Sequence, residues 1–236
     1  MNASGPYIIR YEFLFPNGEL REHEVRLDPV TLADTAPLPS PSADWTRLEF
    51  RKCDVCPLAA TTAFCPLAVR LEGVVQSFSQ TISHERALVR VRLPERDVLR
   101  ETTVQQGVSS LLGVHMVTSG CPVLARLRPM VRFHLPFATR LETIFRAVST
   151  YLVGQYLRGR QGEPADWELR GLVETYQLVG RVNRAFAMRL RAAVAKDAHL
   201  NALVQLDLLA KALPESIEEE LEDMRFLFPA LDVPLG

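Results

Sequence analysis

Tyr7-Ile-Ile-Arg-Tyr-Glu-Phe-Leu-Phe-Pro-Asn-Gly-Glu-Leu-Arg-Glu-His-Glu-Val-Arg-Leu27 is the stretch that decides the fold class. Its first half, Tyr7 to Phe15, is rich in aromatic and β-branched residues, the composition of a strand. Asn17-Gly18 offers the two positive-φ positions of a tight hairpin turn, so Glu19 to Leu27 is expected to return as the antiparallel partner. Downstream, Asp28 to Asp44 carries Pro29, Pro37, Pro39 and Pro41 and reads as a surface loop. Thr46-Arg-Leu-Glu-Phe-Arg51 alternates polar with apolar and is expected to form a further strand.

The period then switches. Leu67, Leu71, Val74, Val75 and Phe78 recur at helical spacing behind Pro66, which suits a first helical position. Between Ile82 and Leu93 the alternation returns, with Arg90 and Arg92 on one face and Val89, Val91 and Leu93 on the other. Beyond this point the pattern is helical. A capping box at Thr102/Gln105 leads into Val104, Val108, Leu111, Leu112 and His115, with a stop at Thr118-Ser119-Gly120. Val123 to Val131 makes a short helical piece. A second box, Thr139/Glu142, opens a stripe through Leu141, Ile144, Phe145, Val148, Tyr151, Leu152 and Tyr156. Pro164 starts a long segment that keeps its stripe to Ala193, and further helices are expected over Asp197–Leu213 and from Ser216. Strands first and helices second give an α+β fold: an N-terminal antiparallel hairpin or sheet with a Cys-rich loop, then a C-terminal helical bundle. The division falls at 1–93 and 94–236, packed as one continuous unit.

Composition narrows the function classes. The 236 residues are 47% apolar with a net charge of −1, enough for a sizeable core and without a global pull toward nucleic acid. No apolar run reaches the roughly 18 residues of a membrane span. The N-terminus lacks a basic region leading into an apolar one, so a cytoplasmic, reducing compartment is expected. Protein partners and self-association stay open. The basic residues Arg126, Arg128, Arg132, His134 and Arg140, and Arg181, Arg184 and Arg191, suggest an anion-binding surface or a solvated basic face, and the acidic C-terminal residues favour the latter.

The concentrated chemistry is in the cysteines. All four lie in the pattern Cys53-x2-Cys56-x8-Cys65 with Cys121 remote. Two thiolates separated by two residues converge on one ion from a tight turn, and two more complete a tetrahedral site. Zinc is the first metal this set suggests. Prolines after Cys56, Cys65 and Cys121 make an iron–sulfur cluster the alternative, and plain burial without metal is the third reading. Cys121 supports a rival idea: between a glycine and a helix start its pKa would be lowered, and His115 or His134 would serve as base in a thiol-dependent enzyme. His115, on an apolar helix face, reads equally well as a core histidine.

Lys52-Cys-Asp-Val-Cys-Pro-Leu58, Cys65-Pro-Leu-Ala68, Ser119-Gly-Cys-Pro-Val-Leu124 and Pro129-Met-Val-Arg-Phe-His-Leu-Pro-Phe-Ala-Thr139 resemble an uncharacterised bacterial domain family of unknown function. The resemblance extends from the first hairpin to Leu213. It implies a bacterial, cytoplasmic protein and brings no activity with it. The expected function is a metal-stabilised, four-cysteine binding or regulatory module; the alternative is a redox or thiol-dependent enzyme using an iron–sulfur cluster or Cys121.

Overall fold

The computed structural model describes residues 5–37, 43–79, 81–193, 217, 219 and 221–229. Strands β1 (Tyr7–Leu14), β2 (Leu20–Leu27), β3 (Arg86–Leu93) and β4 (Arg96–Thr103) form one antiparallel sheet in the order β2-β1-β3-β4. Helix α1 (Pro66–Ser77) lies between β2 and β3, and α2 (Val104–Thr118), α3 (Arg140–Arg160) and α4 (Arg170–Ala193) follow β4, with a 3₁₀ segment over Leu124–Phe133. This is the α+β arrangement that the strand and helix periods require.

The β1–β2 hairpin forms as expected, with Tyr7 opposite Leu27, but through a different turn that shifts the pairing by one residue from the one an Asn17-Gly18 turn would set. Among the residues of the turn only Gly18 has positive φ, at 86°, while the Gly18 N–H donates to the Phe15 carbonyl at 2.9 Å and the Phe15 N–H to the Glu19 carbonyl at 2.9 Å. That is a type I turn over Pro16-Asn17 closed by a left-handed glycine. Pro16 explains the choice, because its fixed φ suits the first central position of a type I turn and forbids positive φ there.

One face of the sheet is dry. Ile9, Tyr11, Phe13, Val89 and Val91 have no exposed surface and meet α1 and α2. The opposite face carries Arg10–Glu24 (2.6 Å), Arg90–Asp97 (2.5 Å) and Arg92–Glu12 (3.3 Å). These partly exposed pairs contribute little to stability. α2 sits close to the sheet because of Gly107: a Cβ there would lie 2.5 Å from Phe13 Cε1 and 3.1 Å from Val89 Cγ2. Phe13 is itself held against Phe78 at 4.9 Å between ring centroids. Alanine gains up to about 1 kcal/mol of helix propensity, but overpacking a filled core costs about 1–3 kcal/mol. Gly107→Ala is therefore expected to lower stability by about 1 kcal/mol in denaturant titration, and a stabilised variant would contradict this packing.

Several local expectations shift. Thr46–Arg51 is not a strand: Asp44–Thr46 is a 3₁₀ turn, Arg51 has φ 50°, and a single bridge joins Arg47 to Phe64. The alternation was present, but no neighbouring strand supplies a ladder, and the carbonyls are used elsewhere. β4 continues the sheet past residue 93; seven of its eight residues are at least partly exposed, so it lacks a buried alternation to betray it. The α2 cap is Thr103, one residue later than the box predicted, its hydroxyl accepting from the Gln106 N–H. The Thr139/Glu142 box forms as expected. In α3, however, only Ile144, Ala147 and Val148 are buried, while Leu141, Phe145 and Tyr156 are exposed. The segment from Pro164 becomes helical only at Arg170, after Leu169 at φ 59°. The helix expected over Asp197–Leu213 and the cap at Ser216 lie outside the described residues.

Candidate functional site

The Cys-rich loop is held at both ends. The Cys65 N–H donates to the Thr46 carbonyl at 2.8 Å, and the Leu48 N–H to the Ala63 carbonyl at 3.0 Å. Within it the Cys56 N–H donates to the Cys53 carbonyl at 3.0 Å, the tight turn that C-x2-C spacing calls for. Cys65 is the N-cap of α1 with Pro66 at the first helical position, where proline's missing N–H would have had no helical partner.

Cys121 reaches the same place from the other half of the chain. Gly120, in the left-handed region at φ 91°, turns the end of α2 so closely onto Pro66 that a Cβ would lie 3.7 Å from the proline ring. All four cysteines are free thiols, Cys121 buried and the others partly so. With Gly120 beside Pro66, Cys121 is brought toward Cys65, and the thiols act on one another electrostatically. Burial first, then Cys56, Cys121 and Cys65, push the Cys53 thiol up to about 12. Cys121 is raised too, chiefly by burial and further by Cys65 and Cys56, against the backbone N–H groups of Leu124 and Val123 that favour its thiolate.

This reverses the expectation that a helix start would acidify Cys121. The amides are present, but desolvation of a nearly enclosed sulfur outweighs them. Neither proposed base attends it. His134 Nε2 is hydrogen-bonded to the Tyr11 hydroxyl at 2.6 Å, and burial, with Arg146 nearby, pulls its pKa down to about 3. His115 is buried on α2 with Nδ1 unpartnered, and burial, then His23 and Arg70, brings it to about 3 as well. Both behave as neutral core histidines.

No local pattern pointed to the residue that organises the loop. Arg189 of α4, buried to 3% exposure, donates from Nη1 to the Trp45 carbonyl at 2.5 Å and the Arg47 carbonyl at 2.7 Å, and from Nη2 to the Leu48 carbonyl at 3.1 Å. These are the carbonyls that a strand over Thr46–Arg51 would have spent on a ladder. The guanidinium lies within electrostatic reach of Cys65, Cys53 and Cys56. Arg181, one of the basic residues of the same helix, bridges Asp54 inside the C-x2-C turn at 2.7 Å. Arg132 similarly pairs with Glu95 at 3.4 Å and stacks over Tyr7, and Arg128 donates to the Val117 carbonyl. Much of the suspected anion surface is thus used within the fold.

Among the described residues, no group of three or more His, Cys, Asp or Glu side chains is placed so that it could hold a metal ion. The family model of a domain of unknown function, DUF6901, matches residues 9–229. The chain belongs to this family. The DUF6901 match takes in the hairpin, all four cysteines and α4, so the loop and the helix that braces it are parts of one family unit. No curated protein and no solved structure matches the chain. No helix among the described residues is long and apolar enough to cross a membrane.

Proposed function

We propose that this DUF6901 protein is a binding or regulatory module whose Cys-rich loop is fixed to its helical half by a structural zinc ion held by Cys53, Cys56, Cys65 and Cys121. The observation that supports this reading is the packing of Gly120 beside Pro66, which brings Cys121 toward the Cys65 end of the loop. Four thiolates on one zinc make a closed, redox-silent site with Zn–S distances of about 2.3 Å and no position for substrate water. Such a set carries two net negative charges, and Arg189 and Lys52 stand within reach to offset them. No group of three or more His, Cys, Asp or Glu side chains among the described residues could hold a metal ion as it stands, so this reading requires the sulfurs to move together on binding. An iron–sulfur cluster is the second reading, favoured by the Cys-Pro steps; it needs room for a cube of atoms, and the cavity of the helical half is lined by none of the four cysteines.

Elemental analysis of protein purified without oxygen tests this. About one zinc per chain in a colourless protein, with thiolate-to-metal charge-transfer bands on cobalt replacement, is the expected result. Brown protein containing iron and sulfide would establish the cluster instead, and metal-free protein that takes up no added zinc or cobalt would end both readings.

A further inference from the structure

A cavity of about 390 Å³ lies where α2, the Leu124–Phe133 segment, α3 and α4 meet. Its walls are mostly apolar, with Val114, Leu124, Leu127 and Val131 among them. Small-molecule sites typically enclose about 300–1,000 Å³ with a few polar groups set among apolar ones. Here the polar side chains include Arg146, Asn183, Tyr176 and His134, with Arg100 and Arg140 exposed.

Two of them are incomplete. Asn183 is 1% exposed, and its Oδ1 is buried without a hydrogen-bond partner. Arg146 donates from Nη2 to the Met130 carbonyl at 3.0 Å, while its Nε is buried and unpartnered. Glu142, one turn earlier on α3, does not neutralise it at contact: that carboxylate accepts from the Thr139 N–H at 2.7 Å and the Thr139 hydroxyl at 2.9 Å. Burial correspondingly disfavours the charged guanidinium. His134 and Tyr176 are engaged with the core. His134 is bonded to Tyr11, and the Tyr176 hydroxyl has a long contact with Met130 Sδ at 3.8 Å.

Buried polar atoms without partners are costly and uncommon in native proteins. The two needs are complementary: a cationic donor lacks an acceptor, and an amide oxygen lacks a donor. We propose that the cavity binds a small organic carboxylate with an apolar body and a hydroxyl group, the carboxylate accepting from Arg146 Nε and the hydroxyl donating to Asn183 Oδ1. Of the three arginines in the lining, Arg100 and Arg140 are exposed, so the one unpartnered N–H of Arg146 among apolar walls suits a monoanion better than a strongly hydrated phosphate dianion. The inference rests on the binding-module reading but not on its metal.

Calorimetric titration of the full chain with octanoate, its β-hydroxy derivative, octanol and inorganic phosphate tests it. Both acids are expected to bind, the hydroxy acid more tightly, with octanol weaker by about tenfold or more, the ratio that one charge-assisted hydrogen bond supplies. Arg146→Met is expected to erase the preference for acid over alcohol, and Asn183→Leu the preference for hydroxy acid over plain acid. Octanol binding as well as octanoate, absence of acid binding, or displacement of octanoate by equimolar phosphate would each overturn the proposal. Should R146M fail to fold, the ligand series on the unaltered protein decides alone. Zinc content measured on the same samples separates failure of this site from failure of the metal site.

Discussion

Cys121→Ser is expected to lower stability by about 3 kcal/mol or more, a fall in melting temperature of about 6–12 °C for a chain of this size. The reason is that metal-binding energy is folding energy wherever the ligands come together only in the native state. Cys121 enters from the α2 terminus and the other three from the loop before α1, so the unfolded chain cannot hold them together. Serine is nearly isosteric and fits the same space, which separates loss of a ligand from loss of packing. A chelator should lower the melting temperature of the unaltered protein toward that of the variant and leave the variant unmoved. Equal melting temperatures for both, with and without chelator, would remove the structural metal. In the metal-free protein, Cys53 and Cys121 have raised pKa values, so both are thiols at neutral pH. Zinc uptake must therefore release protons, and apparent affinity should fall as pH is lowered.

Acid is expected to weaken the fold well before most carboxylates titrate. His115 and His134 are held neutral, each with a folded pKa of about 3 against an ordinary value of 6.5. A depressed folded pKa means that the unfolded chain takes up protons first as pH falls. The stabilising contribution is therefore complete above about pH 6.5 and is lost progressively between 6.5 and about 3. By roughly pH 5 each histidine removes about 2 kcal/mol, about 4 kcal/mol together. Denaturant titrations between pH 7 and pH 5 should show this loss, halved in His115→Gln or His134→Gln. A flat profile over that window would show that neither histidine is held neutral by burial. His134 has an added consequence, since protonation at Nε2 obliges it to donate to the Tyr11 hydroxyl, which also contacts Ser110 Oγ at 2.9 Å beside the cavity.

Local chemistry made much of the fold legible. Composition placed β1, the Asn-Gly turn signal β2 and alternation β3, Pro66 marked the start of α1, and Thr139 with Glu142 marked the start of α3, because each signal acts between residues a few positions apart. The same reasoning failed at Thr46–Arg51, where a period of two was real but its backbone carbonyls were claimed by Arg189 from the far end of α4. It also failed at β4, a largely exposed edge strand whose place is set by pairing with β3 rather than by burial of its own side chains. For the site, the cysteine spacing was sufficient to nominate all four thiols but silent about Arg189, Asp54–Arg181 and the cavity, each of which joins residues from separate elements.

The sequence by itself determined the α+β class, the two strands of the hairpin, the starts of α1 and α3 and the thiols to nominate, since these depend on periodicity, capping and residue type. Only the tertiary structure decided that Gly120 packs beside Pro66 and so brings Cys121 toward Cys65, that its thiol is raised and not lowered, and that Arg146 and Asn183 line one cavity while each keeps a buried polar atom without a partner. Those outcomes depend on desolvation and on contacts between distant parts of the chain, and neither is set until the sheet and helices have packed.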